Sequence, residues 1–309
     1  MKKDFISIRD INEQEFLNII KETDTLKKEK KKIIEKSPLK GKVLAMIFEK
    51  PSLRTRVTFE VGIYELGGTA IYLSPQDIGI DKRETVEDIG QNLSRWVSGI
   101  MARTFAHSTV ERLAKASRVP VINGLSDLEH PCQIIADFYT IYEKKGDLRK
   151  IKLAFIGDGN NVCNSMLLAA GLMGVDFRVA HPKGYEPNEE ILKKAKELST
   201  KSNGSIILTN NPKDAAEGAD VIYTDVWTSM GFESEAKKRR KAFASFQVNK
   251  EIVACAKKDF IFMHCLPAKR GEEVTPDVID GPNSIVFDQA ENRLYAQQAL
   301  LIKLLGNSK

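Results

Sequence analysis

The chain has 309 residues, of which 42% are hydrophobic and 29% are charged, a composition that excludes intrinsic disorder and leaves room for two domains. Its formal net charge of +5 comes largely from basic runs at positions 27–32 and 237–241, which we interpret as solvated helix faces or mobile loops. No stripe of arginines with interleaved aromatics indicates a nucleic-acid surface, and no apolar run reaches membrane-spanning length.

Four cysteines show neither zinc-ligand spacing nor the pattern of a secreted disulfide framework: Cys132, Cys163, Cys255 and Cys265. No apolar signal-peptide core follows the first residues. We therefore expect a cytoplasmic protein with reduced thiols, no metal, no nucleic-acid partner and no membrane partner.

Strand-like and helix-like segments alternate along the chain. Asn12 and Glu15 predict a capping box at the start of a lysine-rich helix. The predicted strands are Val43–Phe48, Thr69–Leu73, one ending at Arg103, Val119–Asn123, Ile151–Ile156, Phe177–Ala180, Ser205–Leu208, Asp220–Tyr223, Phe260–Met263 and Ser284–Phe287. The alternation predicts an α/β fold of two doubly wound domains, each with a parallel sheet flanked by helices. The polar stretch Glu143–Asp147 marks the boundary, so the domains are assigned to residues 1–146 and 147–290.

Unusual polar residues follow the predicted strands at their carboxyl ends, where open α/β sheets bind ligands. These are Ser52–Arg56, Arg103, His130–Gln133, Asp158–Asn161, Asp225 and the pair His264 and Cys265. Each also has a plain structural interpretation as a helix cap, a turn residue or a strand-end ion pair. His264 is interpreted as a hydrogen-bonded core histidine, because no second ligand lies at metal-binding spacing.

The first domain concentrates cations. Arg54, Arg56 and Arg103, together with the helix start after Pro51, can hold a small anion, and His130 can polarise a carbonyl. The second domain offers Asn161, Asp225 and Ser229 for a zwitterion, with the Asp225 carboxylate pairing an ammonium. An anion site and an amine site that face each other across a cleft favour group transfer from an activated phosphate compound to an amine.

The segment Gly157-Asp158-Gly159 invites a dinucleotide-binding interpretation, which would make the chain an NAD-dependent oxidoreductase. Val162 stands where the third glycine of that fingerprint belongs, and the next strand ends at His181 instead of an acidic residue. These two departures disfavour the dinucleotide hypothesis.

Four motifs in order resemble those of the aspartate/ornithine transcarbamoylase family. They are Ser52-Leu53-Arg54-Thr55-Arg56, His130-Pro131-Cys132-Gln133, Asp225-Val226-Trp227-Thr228-Ser229-Met230-Gly231 and His264-Cys265-Leu266-Pro267. The last two are similar to segments of the ornithine-using members. Relatives that use aspartate carry Pro-Leu-Pro-Arg-type residues where this chain has Cys265–Ala268.

The resemblance implies two groups of site residues. Carbamoyl phosphate would be bound by Ser52, Leu53, Arg54, Thr55, Gln76, Arg103, His130, Pro131, Cys132, Gln133, Cys265, Leu266 and Arg293, and ornithine by Asn161, Asp225, Ser229 and Met230. The catalytic subset would be Arg54, Thr55, Arg103, His130 and Cys265. Gln76 would reach a neighbouring subunit, which implies a homotrimer or a multiple of trimers. Residues 1–146 and 147–290 would then bind carbamoyl phosphate and ornithine respectively, and a terminal helix over about 291–309 would pack back on the first domain.

The implied activity is transfer of the carbamoyl group of carbamoyl phosphate to the δ-amine of L-ornithine, in arginine metabolism and without a cofactor. Two alternatives stay open beside the oxidoreductase: a transcarbamoylase for another amine such as putrescine or N-acetylornithine, and a noncatalytic amino-acid-binding protein.

Overall fold

The computed structural model describes residues 4–229, 231 and 233–306. The chain forms two compact units, of which unit 1 comprises Met1–Tyr139 and Glu291–Lys309, and unit 2 comprises Thr140–Ala290. The first crossing between the units falls within a helix, upstream of the boundary that the sequence predicts at 146/147.

In the described part of unit 1, four parallel strands pair in the order β2-β1-β3-β4. Their bounds are Val43–Phe48 (β1), Thr69–Leu73 (β2), Gly99–Arg103 (β3) and Val121–Leu125 (β4). The helices that begin in this unit are Glu13–Lys28 (α1), Lys30–Lys36 (α2), Leu53–Glu65 (α3), Pro75–Ile78 (α4), Val86–Trp96 (α5), His107–Ala116 (α6) and Pro131–Lys145 (α7). The capping box predicted from Asn12 and Glu15 is confirmed at the start of α1.

The apolar run of β1 is buried on both faces of its sheet. Ala45 and Ile47 pack in one core cluster with Val86 of α5 and Leu113 of α6. The alternate residues point to the opposite face and are also fully buried, as Met46 shows. A strand covered on both sides needs no polar alternation, which is why this run is continuously apolar.

The described residues of unit 2 build a five-stranded parallel sheet in the order β7-β6-β5-β8-β9. Its strands are Lys152–Ile156 (β5), Asp176–Ala180 (β6), Ser205–Thr209 (β7), Val221–Thr224 (β8) and Ile261–His264 (β9). Its helices are Asn161–Met173 (α8), Glu189–Ser202 (α9), Pro212–Ala216 (α10), Ala236–Phe243 (α11), Lys250–Val253 (α12) and Pro276–Ile279 (α13). With both sheets parallel and helix-flanked, the predicted fold class is confirmed.

The last helix, α14, spans Val286–Leu305. The prediction of a strand over Ser284–Phe287 is wrong, because Ser284 makes only an isolated bridge to Phe262 before the helix begins. A short apolar run does not distinguish a strand from a buried helix start. Within unit 1, Gln298 of α14 donates to the Glu65 carboxylate at 2.9 Å, which joins this helix to α3.

Gly159 has a packing role that explains part of the glycine-rich turn after β5. A Cβ atom at this position would lie 2.2 Å from the backbone nitrogen of Pro187 and 2.3 Å from the carbonyl carbon of Glu186. Only glycine allows this approach, so the turn is explained without a dinucleotide. Among the helices of the described residues, none has the length and apolar character needed to cross a membrane.

Candidate active site

Both sheets have a topological switch point, and each is bordered by predicted site residues. In unit 1 the chain leaves β1 toward β2 on one side, while β3 pairs on the other. In unit 2 the same reversal separates β5 from β8. At a switch point the connections leave the carboxyl ends of the two strands in opposite directions. This opens the crevice in which α/β folds bind ligands.

The loop after β1 forms a helix start suited to an anion. Ser52 has extended backbone and caps α3, with its hydroxyl accepting from the Thr55 N–H at 3.3 Å. Arg54 lies in the first turn and is half-buried, whereas Leu53 is exposed. The remaining N–H groups of the first turn and the positive end of the helix dipole favour a bound anion.

Arg293 of α14 connects this helix start to the start of α7. Its Nη2 donates to Thr55 Oγ1 at 3.0 Å, and its Nη1 donates to Gln133 Oε1 at 2.7 Å. The Gln133 amide in turn donates to the Asp137 carboxylate at 2.8 Å. All four side chains are at least 97% buried, so a cation, an amide, a hydroxyl and a carboxylate form one interior network.

His130 lies where three arginines converge. Its carbonyl accepts from the N–H groups of Gln133 and Ile134, so it precedes α7 as the cap residue. Burial holds the pKa of the His130 imidazole well below its ordinary value, and the positive charges of Arg293, Arg103 and Arg54 lower it further. The ring is therefore neutral at physiological pH, with one N–H to donate.

The other predicted residues of unit 1 differ in their surroundings. Arg103 ends β3 in a buried position, and its carbonyl accepts from the Glu49 N–H at 2.9 Å. Pro131 is the first residue of α7, while Gln76 lies exposed on α4, after the edge strand β2. The Cys132 thiol faces the core and donates to the Asn123 carbonyl, and burial raises its pKa to about 12. The Cys132 side chain is therefore a protonated thiol inside the core.

In unit 2, Asp225 follows β8 and is nearly buried. Its Oδ2 accepts from Asn160 Nδ2 at 2.8 Å, and its Oδ1 accepts from the Cys265 thiol at 3.1 Å and from the Val226 N–H at 2.8 Å. Asn160 also caps α8 through Oδ1, which accepts from the N–H groups of Val162 and Cys163. The sequence indicated a tight turn at Asn160 and Asn161, and only the structure reveals that Asn160 caps α8 and orients the Asp225 carboxylate.

The other residues implied to bind ornithine are Asn161, Ser229 and Met230, and Leu266 follows Cys265 in the chain. Asn161 opens α8 and is half-buried, and Ser229 is half-buried in the loop after Asp225. Met230 lies outside the described residues. Leu266 has a left-handed backbone (φ 57°) and precedes a cis bond to Pro267.

Asp225, His264 and Cys265 are ligand-type residues whose polar atoms lie within 4.8 Å of one another. His264 uses both ring nitrogens inside the protein, because Nδ1 accepts from the Leu266 N–H at 2.8 Å and Nε2 lies 3.3 Å from Glu273 Oε1. The interpretation of His264 as a hydrogen-bonded core histidine is confirmed. A metal would have to displace one of these contacts.

Arg239 corrects the prediction that the basic run at 237–241 is entirely solvated. It is only 7% exposed, and its Nη1 donates to Asp158 Oδ2 at 2.7 Å and to the Trp227 carbonyl at 3.0 Å. Its Nε donates to Glu235 at 3.1 Å. Burial raises the pKa of the Asp158 carboxyl, and the Arg239 charge opposes that rise. The inward face of a helix cannot be read from a run of basic residues alone, so sequence reasoning missed this contact to the Asp225–Gly231 loop.

Comparison with known proteins identifies two family domains in the chain. The family model described as the carbamoyl-P binding domain of aspartate/ornithine carbamoyltransferase matches residues 3–143, and the Asp/Orn binding domain of the same family matches residues 149–304. An ornithine carbamoyltransferase of Thermococcus kodakarensis is 53% identical, covering 99% of this chain and 98% of the relative. One from Pyrococcus furiosus, called anabolic, is 52% identical, covering 99% and 98%.

Solved structures agree with these relatives. The ornithine carbamoyltransferase from Pyrococcus furiosus has a TM-score of 0.96 at 52% identity, covering 100% of this chain and 98% of that one. The enzyme from Thermus thermophilus has a TM-score of 0.88 at 45% identity, covering 99% of each chain.

The lowered pKa of His130 predicts a pH dependence of stability. Since the unfolded chain binds a proton at about pH 6.5 while the folded His130 resists it, the free energy of unfolding should fall as pH drops below about 6.5. His130→Gln should flatten this slope, measured by urea unfolding between about pH 5 and 7.5. His107, whose pKa is also lowered by burial, retains part of the slope in that variant. An unchanged slope would contradict the assignment of a buried, neutral His130.

Proposed function

The chain belongs to the aspartate/ornithine carbamoyltransferase family, and we propose that it transfers the carbamoyl group of carbamoyl phosphate to the δ-amine of L-ornithine, giving L-citrulline and phosphate. The observation that carries ornithine as the acceptor is the nearly buried Asp225 carboxylate, held by Asn160 and Cys265. Such a group attracts an ammonium and repels the second carboxylate of an aspartate.

Carbamoyl phosphate binds to residues of unit 1 in this proposal. The start of α3, with Ser52 to Thr55, receives the phosphate, and the guanidinium groups of Arg54 and Arg103 neutralise it. His130 and Gln133 hold the carbamoyl end. Gln133 suits this role because Arg293 and Asp137 already fix its amide, so the group does not need to be ordered on binding.

The chemical step is attack of the neutral δ-amine on the carbamoyl carbon. A C–N bond forms, the carbonyl oxygen gains negative charge, and the C–O bond to phosphate then breaks. Neutral His130 donates an N–H to that oxygen. Thr55 Oγ1 accepts from Arg293, so the Thr55 hydroxyl hydrogen is directed onward as a second donor. Each such donor is worth roughly 3 kcal/mol in the transition state.

Ornithine binds to residues of unit 2. Among the described residues, Asn160, Val226 and Cys265 donate to Asp225, and a carboxylate offers about four acceptor positions, so one is available to an ammonium. The proposal also assigns Asn161, Ser229 and Met230 to ornithine binding. The δ-ammonium must lose its proton first, since a lysine-like amine has a pKa near about 10. We assign no base; departing phosphate can take the last proton.

The proposal includes a homotrimer, or a multiple of trimers, in which Gln76 reaches a neighbouring subunit. Its support is an apolar stripe on the solvent side of α3, where Leu53, Val57, Val61 and Tyr64 are 74%, 46%, 38% and 77% exposed. Their spacing of four, four and three residues places them on one helix face. Exposed apolar side chains in a continuous stripe are typical of an interface. We also propose a cytoplasmic location and a role in arginine biosynthesis.

A colorimetric citrulline assay tests the reaction. The chain should form citrulline with ornithine, and should not carbamoylate putrescine, N-acetylornithine or aspartate. Arg54→Gly should abolish turnover with the fold intact. Asp225→Asn should weaken ornithine binding by about 2 kcal/mol or more, roughly 30-fold, while carbamoyl phosphate binding measured by calorimetry stays near that of the wild type.

Two results would refute parts of this assignment. Normal citrulline formation by Arg54→Gly would refute the assignment of the phosphate site to the start of α3. Equal losses of both substrates in Asp225→Asn would contradict the separate roles of the two units.

The trimer predicts a solution mass of three chains or a multiple, measured by light scattering. Val61→Glu, which places a charge in the apolar stripe, should lower that mass. Ile207→Glu is the matched control, since Ile207 is 46% exposed on the edge strand β7 of the other unit, and should leave the mass unchanged. A monomeric wild-type chain would rule out the proposed assembly.

A further inference from the structure

The N-terminal segment of the chain runs along the free edge of β4 in unit 1. The Phe5 N–H donates to the Val121 carbonyl at 2.8 Å, and the Phe5 carbonyl accepts from the Asn123 N–H at 2.9 Å. The Asn123 side chain donates to the Ile6 carbonyl at 3.0 Å. The backbone of residues 5–6 is thereby fixed in register with the strand that leads to His130.

The turn between β4 and α7 is fixed on one side by a backbone hydrogen bond, by the Ser126 hydroxyl and by His107 of α6. The Ser126 N–H donates to the Glu129 carbonyl at 2.9 Å, and Ser126 Oγ accepts from the Glu129 N–H at 3.2 Å. His107 Nδ1 lies 2.8 Å from the same hydroxyl. These contacts define the path of the backbone up to Glu129.

The Glu129 carboxylate holds the turn from the other side. It is completely buried, and its two oxygens receive different donors from the N-terminal segment. The Ser7 hydroxyl donates to Oε1 at 2.5 Å, and the Ile8 N–H donates to Oε2 at 3.2 Å. The Arg9 guanidinium approaches to 3.8 Å. A buried carboxylate is stable only while such partners are present, so this contact fixes the turn to residues 7–8.

We infer that Glu129 is a positioning residue for the transfer reaction, which it serves by fixing the backbone of His130 against the N-terminal segment. The inference rests on the proposed function, in which His130 donates to the carbamoyl oxygen. His130 directly follows Glu129, and its carbonyl begins α7, so its backbone is held on both sides. Without the Ser7 and Ile8 contacts, the His130 imidazole is no longer held at a fixed distance from the carbamoyl oxygen.

A displaced donor affects turnover more than ornithine binding, because it acts on charge that develops in the transition state. A displacement of about 1 Å can cost on the order of 100-fold in rate. We expect kcat to fall roughly 10- to 100-fold in Glu129→Ala and less in Ser7→Ala, with an unchanged KM for ornithine. Glu129→Gln keeps the shape and one acceptor oxygen, and should recover part of the rate.

The test is a double-mutant cycle with His130→Ala, in which citrulline formation and the melting temperature are measured for every variant. If Glu129 acts through His130, adding Ser7→Ala or Glu129→Gln to His130→Ala should cause no further loss of kcat. Asn12→Ala is the control: it removes the cap of α1 next to this segment, does not contact Glu129, and should lower the melting temperature without changing kcat.

The possible outcomes separate the two claims. Wild-type kcat in both Ser7→Ala and Glu129→Gln overturns the inference. It is also overturned if either substitution lowers kcat by the same factor in the His130→Ala background as in the wild type. In either case an active wild type and an impaired His130→Ala would leave the proposed function standing. A wild-type chain that makes no citrulline overturns both.

Discussion

The buried guanidinium of Arg293 is the constraint on which the proposed phosphate site of unit 1 depends. Through Thr55 and Gln133 it holds together the starts of two helices that are far apart in sequence. Removing an ion from water costs several kcal/mol, which the hydrogen bonds offset only if their geometry is kept. The same charge acts on His130, where burial and neighbouring cations keep the imidazole neutral. Arg293 therefore connects the starts of α3 and α7, and its charge adds to the burial that lowers the pKa of His130.

In the second unit the hydrogen-bonded charged group is a carboxylate, that of Asp225. Asp225 is oriented across the switch point of its sheet, from β5 by Asn160 and from β9 by Cys265. Arg239 holds the following loop through the Trp227 carbonyl, and its own charge is balanced by Asp158. In both units the group assigned to the substrate is oriented by a hydrogen-bonded partner, which limits the ordering that binding requires.

Much of the fold could be predicted from the sequence, because continuously apolar strands and periodic helices alternate. The strand predicted over Ser284–Phe287 was wrong, because a buried helix start and a buried strand have similar composition. Strand-end placement predicted the residues assigned to the substrates, such as Arg103 and Asp225. It did not predict Arg239 or Glu129, whose roles depend on which side chains meet after folding. A basic run and a turn residue carry no signal of burial.

The most direct measurement is calorimetric titration of carbamoyl phosphate into two matched variants, Arg293→Lys and Arg239→Lys, each replacing a buried arginine of a different unit. Lysine keeps the charge but cannot bridge two partners in fixed geometry. The account predicts that Arg293→Lys binds carbamoyl phosphate at least about tenfold more weakly, while Arg239→Lys binds it like the wild type. Wild-type affinity in a folded Arg293→Lys variant, or equal losses in both, would contradict it.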